Sequence, residues 1–331
     1  MQEQEEINYR QMEGISQSLL KKLWTNPLDY INPPQEETDY FSFGTMVDEF
    51  LLGKETFYDK YYVSNTNISG RVQAVMDEYY RTITNNSGKL LPIDNKLIVE
   101  IAKRQNFDGR LKKDEAFIKQ IVTKDSLAYL TDIPNIGNKK VISSHDIVTL
   151  NTIERNFESN PYTAGCFIQP SDNIEVINKL VIQFTVEDRL CKAELDKVII
   201  YHQNKTISPI DLKTTSDNPY NFNYSFFKYG YHVQSAWYTE ALRQWLVSKS
   251  LISYTITEYL FPVVNSISLK VGQVIADENI INAGWNGYTD KYGNQKEGVK
   301  HLLNRLTFHE VYGFDYPMEY YQNNGCLISI D

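Results

Sequence analysis

The sequence predicts an α/β (α+β) protein in which helices flank a central mixed sheet, with core elements in the order α-β-β-β-α-β and a helical insertion. Three observations predict this class. Apolar residues recur at helical spacing in the N-terminal region and through most of 56–160. β-rich runs then fill 178–215, and a helical segment and another β-rich run follow them. The chain has 331 residues, 42% of them hydrophobic, so it is long enough to bury a sizeable core.

The N-terminal region predicts two helices. Residues 14–24 form a short helix with Ser16 or Ser18 as its N-cap, and prolines mark the loop that follows. Residues 41–52 form a second helix with a stripe of apolar residues. Asp48 lies at the edge of that stripe, so its carboxylate is free to project from the helix.

Beyond residue 55, the predicted secondary structure changes once, from mainly helical to a sheet with helices. Residues 56–165 are mainly helical, broken by Asn/Gly turns, and carry no group of residues typical of catalysis. We therefore expect N-terminal core helices in 1–55, an insertion in 56–165, and the sheet with its helices in 166–331. The elements expected in the last part are strands at 178–188, 190–201 and 206–215 with a turn at 202–205, a helix at 231–250, a strand at 251–264 and a helix at 296–311.

Two acids and a lysine lie on neighbouring predicted strands. Asp196 lies within a β-rich run, and Asp211 and Lys213 form a D-x-K triplet near the end of the next run. Side chains alternate along a strand, so Asp211 and Lys213 share a face. With the backbone carbonyl of Leu212, these carboxylates supply the oxygen ligands that suit Mg²⁺ or Mn²⁺. The alternative is structural: Asp196 on the solvent face, and Asp211 with Lys213 as a surface ion pair of little energetic weight.

Further polar residues flank this group. Gln234 and Tyr238 are four residues apart on the predicted helix 231–250 and share one face. They are either functional or a half-buried polar pair. Thr214 and Thr215 are able to donate to phosphate oxygens, although β-branched residues also suit a strand for structural reasons.

Taken as an ordered set, these residues resemble the PD-(D/E)XK nuclease superfamily and, within it, the RecB-like branch with its Q-x-x-x-Y helix. The resemblance is greatest to exonuclease VIII (RecE-like) recombination exonucleases of phage type. It is carried by DLKTT at 211–215, an aromatic loop, and YGYHVQSAWY at 229–238. The first two helices of that family are similar to GIS-x-S-L at 14–19 and FGT-x-V-x-E-x-LL at 43–52.

The resemblance implies a restriction-endonuclease-like core formed by 1–55 and 166–331, and a Mg²⁺-dependent (or Mn²⁺-dependent) deoxyribonuclease. Such an exonuclease hydrolyses double-stranded DNA ends from 5′ to 3′ in recombination or repair. It also implies a homo-oligomer and a single-strand annealing partner.

The resemblance also implies roles for individual residues. Lys213, Asp211, Asp196, Gln234 and Tyr238 are the expected catalytic residues. The expected metal ligands are Asp48, Asp196, Asp211 and the carbonyl of Leu212. The expected substrate-binding residues are Thr214, Thr215, His232, Gln234 and Tyr238. The family usually carries a histidine where this chain has Asp48, and an aspartate there supplies a hard oxygen that still suits Mg²⁺.

Composition limits the other possibilities. A net charge of −9 and a pI near 5.2 argue against a protein coated in positive charge, but not against a local basic channel. The three scattered cysteines favour neither a zinc site nor a disulfide framework, and indicate a reducing compartment. An acidic N-terminus and the absence of a long apolar run predict no membrane association and a cytoplasmic protein, in the host cell if phage-encoded.

Two alternatives stay open. One is a structure-specific endonuclease or an end-trimming nuclease on the same core, although relatives of that kind typically carry a four-cysteine iron–sulfur cluster. The other is a catalytically silent DNA-binding protein, for which Asp48 in place of histidine is the main support.

Overall fold

The computed structural model describes residues 9–33, 43–66, 68–84, 92–323 and 325. The chain divides into two compact units. Met1–Leu52 and Ile153–Asp331 form the first unit, and Gly53–Thr152 form the second. Across the described residues, no helix is both long enough and apolar enough to cross a bilayer.

In chain order, the helices are α1 (Gln17–Leu20), α2 (Leu28–Ile31), α3 (Phe43–Leu52), α4 (Lys54–Lys60), α5 (Gly70–Thr84), α6 (Asn95–Arg104), α7 (Asp114–Ile121), α8 (Lys124–Ile136), α9 (Ser144–Ser159), α10 (Phe222–Lys228), α11 (Tyr231–Ser248), α12 (Glu278–Asn286), α13 (Val299–Tyr312) and α14 (Met318–Gln322). The strands are β1 (Tyr61–Ser64), β2 (Lys140–Ser143), β3 (Ile174–Val186), β4 (Arg189–Tyr201), β5 (Thr206–Ile210), β6 (Lys213–Thr215), β7 (Thr255–Ile256), β8 (Tyr259–Asn265), β9 (Val271–Ala276), β10 (Tyr288–Thr289) and β11 (Gln295–Lys296). Short 3₁₀ turns occupy Lys21–Trp24, Ala164–Phe167 and Pro219–Asn221.

The first unit is built on a mixed sheet. Its strand order is β3-β4-β5-β8-β6, with β7 beside β5 and β9 beside β8. The β3–β4 and β4–β5 pairs are antiparallel, whereas β5 and β6 run parallel to β8. The prediction of a central mixed sheet flanked by helices is therefore confirmed.

Two predicted strands are interrupted, and the prediction of one continuous strand at 251–264 is wrong. That segment gives β7 and β8, because its pairing to β5 shifts by one residue between Ile207↔Ile256 and Ile210↔Leu260. The segment 251–264 therefore has one more residue than β5 between these two pairs, and an extra residue on one strand interrupts the pairing, as in a β-bulge. The predicted run 206–215 is divided into β5 and β6 at Asp211 and Leu212.

The β3–β4 hairpin is also irregular at one point. Glu187 and Asp188 form its two-residue turn with φ values of +47° and +61°, which matches the right-handed twist of the strands. Farther along, Lys179 has a φ of +52° in the middle of β3, and the ladder lacks its pair with Asp196. A lysine rarely adopts this left-handed conformation, so the backbone is strained at this point.

The strain changes which side chains face the core. On β4, Leu195 and Val198 both belong to the main apolar cluster, although they are three residues apart. Strict alternation would place them on opposite faces. Between them, Asp196 pairs with Lys179, and the Lys197 ammonium lies 5.5 Å from the Phe167 ring centroid.

Helix α11 packs on the sheet and is fixed at its start by a glycine. Trp237 is fully buried in the main core and donates its ring N–H to the carbonyl of Lys192 at 3.2 Å. Gly230 precedes the helix with a φ of +67°. A Cβ at this position would lie 2.7 Å from the Trp24 ring, so both conformation and space require glycine.

The second unit has its own apolar core. Helices α5, α6, α7 and α8 supply most of it, including the fully buried residues Val75, Ile98 and Ile121. Tyr129 is buried and donates to Asp77 at 2.8 Å. The parallel pair β1–β2 joins residues far apart in sequence and was not predicted.

Candidate active site

Asp211 lies at the break between β5 and β6. Its N–H donates to the carbonyl of Leu260 at 2.9 Å, so the chain still follows β8 there. The residue is only 2% exposed, and its Oδ1 accepts from Gln234 Nε2 at 2.6 Å. Its Oδ2 is ion-paired with Lys213 Nζ. Burial raises the pKa of Asp211 to about 7 against the opposing pull of Lys213.

Lys213 is held as a buried cation. Its Nζ lies 4.8 Å from the centroid of the Tyr231 ring, within cation–π distance. Burial alone would lower its pKa, but the carboxylates of Asp211 and Asp196 outweigh that effect and raise it. The side chain therefore stays an ammonium and is a weak base in this arrangement.

Asp196 connects the break in the sheet to β3. Its Oδ2 accepts the backbone N–H of Leu212 at 3.2 Å, and its Oδ1 accepts from Lys179 Nζ at 2.8 Å. The same ammonium donates to Asp48 Oδ2 at 2.5 Å. Lys179 thus bridges two carboxylates that come from β4 and α3.

The electrostatics of Asp48 follow from this position. Burial and the neighbouring charge of Asp196 raise the pKa of Asp48 to about 6, and Lys179 opposes the shift. Conversely, although burial disfavours its charge, Asp196 and Asp48 raise the pKa of Lys179. The three groups together form a compact network with one cation between two acids.

These residues line one cleft of about 260 Å³. Its walls are Gly44, Thr45, Asp48, Asp196, Leu212, Lys213, Thr214 and Tyr231. The structure therefore brings together five of the residues singled out in the sequence, from three separate parts of the chain. Asp211 lies behind the cleft wall, in contact with Lys213.

The fit to a metal ion depends on Lys179. Over the described residues, no three His, Cys, Asp or Glu side chains form a ready-made metal site. The Lys179 ammonium stands where a cation shared by Asp48 and Asp196 would lie. Mg²⁺ keeps several waters and needs only one or two protein carboxylates. The donor set therefore fits Mg²⁺ once the ammonium is displaced.

Other predicted site residues lie outside the cleft wall. Gln234, the donor to Asp211, is 6% exposed. Tyr238 is 7% exposed and packs beside Tyr259 at 6.4 Å between ring centroids. Thr215 accepts the N–H of Asp217 in a turn. His232 is 3% exposed between Phe227 and Tyr288, because it lies about 100° around the helix from Tyr231.

Three residues at or beside the site were not predicted. Tyr231 holds Lys213, and Lys179 bridges the acids. Lys21 donates to the carbonyl of Tyr229 at 3.0 Å, and burial together with Lys213 lowers its pKa to about 8. A signal existed for Lys179 alone: a two-residue turn at Glu187–Asp188 fixes the hairpin register and places Lys179 opposite Asp196.

Comparisons with known proteins add little. No protein-family model matches the chain, and no curated protein sequence matches it. Among similar solved structures is a "putative exonuclease" from Eubacterium rectale, with 12% identity, a TM-score of 0.32, and coverage of 84% of this chain and 86% of that one. A similarity of this size carries no argument about activity, so the functional conclusion depends on the geometry of the cleft.

Proposed function

We propose that this protein is a metal-dependent deoxyribonuclease of the PD-(D/E)XK type, acting as an exonuclease on double-stranded DNA ends, with 5′ to 3′ polarity, in recombination or repair. One observation carries the proposal. Asp48 from α3 and Asp196 from β4 line one cleft together with the buried Lys213, which is paired with Asp211 at the β5–β6 break. Burying charges is costly even when they are paired, and a cluster of buried or half-buried charges with shifted pKa values in a cleft is typical of functional sites.

Different residues of the site would bind the metal and stabilise charge on the phosphate. Asp48 and Asp196 would hold Mg²⁺, with Asp211 and the Leu212 carbonyl beside them. When bound, the ion would lower the pKa of a coordinated water and polarise the phosphoryl oxygen. Lys213, an ammonium in the metal-free site, would orient the water and stabilise charge on the phosphate.

Neighbouring groups keep that lysine and its acid in place. Gln234 donates to Asp211 Oδ1, which fixes the carboxylate plane. The ring of Tyr231 confines the Lys213 ammonium from the other side. Thr214 lines the cleft and is positioned to donate to a phosphate oxygen. The homo-oligomer and the annealing partner rest on the resemblance alone and stay predictions.

A catalytically silent DNA-binding protein is the second candidate. The observation in its favour is Lys179, whose ammonium already neutralises Asp48 and Asp196. In that case the network is structural and no divalent ion displaces the lysine.

Digestion of end-labelled linear duplex and of closed circular duplex, with and without Mg²⁺, separates these functions. We expect loss of linear DNA only, with label released from one end, and near-complete loss of activity in Lys213→Ala and Asp211→Asn. Asp188→Asn, at an exposed hairpin turn that tolerates asparagine, is the matched control. Nicking of circles would indicate an endonuclease, and intact DNA throughout would indicate the silent protein.

A further inference from the structure

A line of cationic and aromatic side chains leads away from the cleft. It starts at Lys213, whose ammonium lies over Tyr231. The Tyr231 ring centroid is 6.1 Å from that of Tyr229. Lys228 Nζ then lies 5.4 Å from the Tyr229 ring centroid and 5.9 Å from that of Tyr224. We call Tyr224, Lys228, Tyr229 and Tyr231 the aromatic ridge.

The two outer rings of the ridge are exposed, and the segment that carries them is packed against the main core. Tyr224 is 72% exposed and Tyr229 is 54% exposed. They belong to a segment whose alternate aromatics, Phe222 and Phe226, are buried in the main core. The helix α10 is thereby anchored, so the exposed rings are presented on a fixed support rather than on a free loop.

The ridge carries positive charge in an acidic protein. The net charge of the chain is −9, yet no acidic residue occurs between Asp217 and Glu240. Lys228 lies within the ridge, and Lys21 joins it through a hydrogen bond to the Tyr229 carbonyl. Lysines placed beside exposed rings attract a polyanion locally in spite of the overall charge.

We propose that the aromatic ridge binds the unpaired bases of single-stranded DNA next to the cleft, with bases stacked on Tyr224 and Tyr229 and phosphates near Lys228 and Lys21. Aromatic rings stack on every base, and cations between them suit the backbone. Duplex DNA hides its base faces within its own stack, so the ridge selects a frayed or displaced strand. The inference rests on the proposed function only in taking DNA as the polymer.

The test measures binding without cleavage. Fluorescence anisotropy in EDTA follows a labelled oligothymidylate of about twelve nucleotides, within the site sizes of stacking proteins, and an abasic strand of the same length. The variants are Tyr224→Ala, Tyr229→Ala and Tyr224→Trp. Tyr292→Ala is the matched control. Tyr292 is 77% exposed and has a lysine, Lys291, 4.9 Å from its ring centroid. It lies between β10 and β11, outside the ridge.

Each alanine variant should bind oligothymidylate about tenfold more weakly and the abasic strand unchanged, since stacking on a ring is lost and charge is kept. Tyr224→Trp should bind at least as well as the natural protein, which shows that the fold is intact. The proposal is overturned if the natural protein binds no oligothymidylate, if Tyr224→Ala binds as the natural protein does, if the abasic strand weakens equally, or if Tyr292→Ala weakens binding as much.

The outcome is independent of catalysis. If the natural protein digests no DNA but Tyr224→Ala loses oligothymidylate binding, the proposed function fails and the ridge stands. If digestion occurs and Tyr224→Ala binds normally, the nuclease stands and the ridge is refuted.

Discussion

Replacing Lys179 with alanine separates a structural ion bridge from a displaceable one. In the natural protein the ammonium contacts Asp48 and Asp196 at 2.5 and 2.8 Å. Its side chain is 39% exposed, and those of the two acids are 25% and 17% exposed. Alanine removes the cation and leaves two carboxylates facing one another.

The substitution should lower the stability of the metal-free protein and raise the affinity for metal. Partly exposed ion pairs contribute about 0.2–1 kcal/mol each, so loss of the two pairs should make the metal-free variant less stable by about 0.4–2 kcal/mol. A divalent ion no longer has to displace the ammonium, so the same free energy should appear as about two- to thirtyfold tighter binding of Mg²⁺ or Mn²⁺.

Urea unfolding in EDTA measures the first effect, and titration calorimetry with Mn²⁺ measures the second. Lys179→Gly is the companion variant. Like alanine, glycine removes the positive charge, but it also relieves the strain of the left-handed backbone, which costs about 1 kcal/mol in other residues. It should bind metal like Lys179→Ala but lose less stability. Unchanged metal affinity in both variants would refute the idea that Lys179 occupies the cation position.

Three further predictions concern neighbouring groups. Burial raises the pKa of Asp48 to about 6 and that of Asp211 to about 7, both above their unfolded values near 4, so the folded state binds more protons. The stability of the metal-free protein should therefore fall as the pH rises from about 4 to about 7, which urea unfolding at several pH values checks. The affinity for Mn²⁺ should rise over the same window and then level off, which calorimetry checks. Gln234→Leu removes the donor to buried Asp211, and should cost about 1–3 kcal/mol in unfolding and weaken Mn²⁺ binding more at pH 7 than at pH 8.5. Gly230→Ala should cost more in urea unfolding than Gly293→Ala, because both positions have positive φ but only Gly230 would contact the Trp24 ring; equal losses would contradict the steric part of the argument.

The sequence was sufficient to indicate the D-x-K pair and the helix that covers it. Alternation along a strand predicted that Asp211 and Lys213 would meet, and they do, although the strand is interrupted between them. The helical face of Gln234 was likewise readable, because i and i+4 positions are fixed by helix geometry alone. These features depend on local periodicity.

Other features depend on pairing between distant segments. Lys179 reaches Asp196 only because the hairpin register and a left-handed φ act together, and no residue type encodes that φ in a lysine. The split of 251–264 depends on a one-residue shift against β5. Cross-chain register of this kind is not contained in the pattern of one strand.

Two of the charged groups at the cleft lie where the sheet is irregular. In an unbroken ladder, the backbone of Leu212 would bond to a neighbouring strand, whereas in this sheet its N–H reaches a carboxylate. Lys179 has a left-handed φ within β3 at the point where its ammonium reaches Asp196. Such departures cost stability, of order 1–3 kcal/mol for a strained residue, and persist only where surrounding packing enforces them. The strained Lys179 and the break at Asp211 both lie beside one cleft, which is the placement expected if the cleft is a binding or catalytic site.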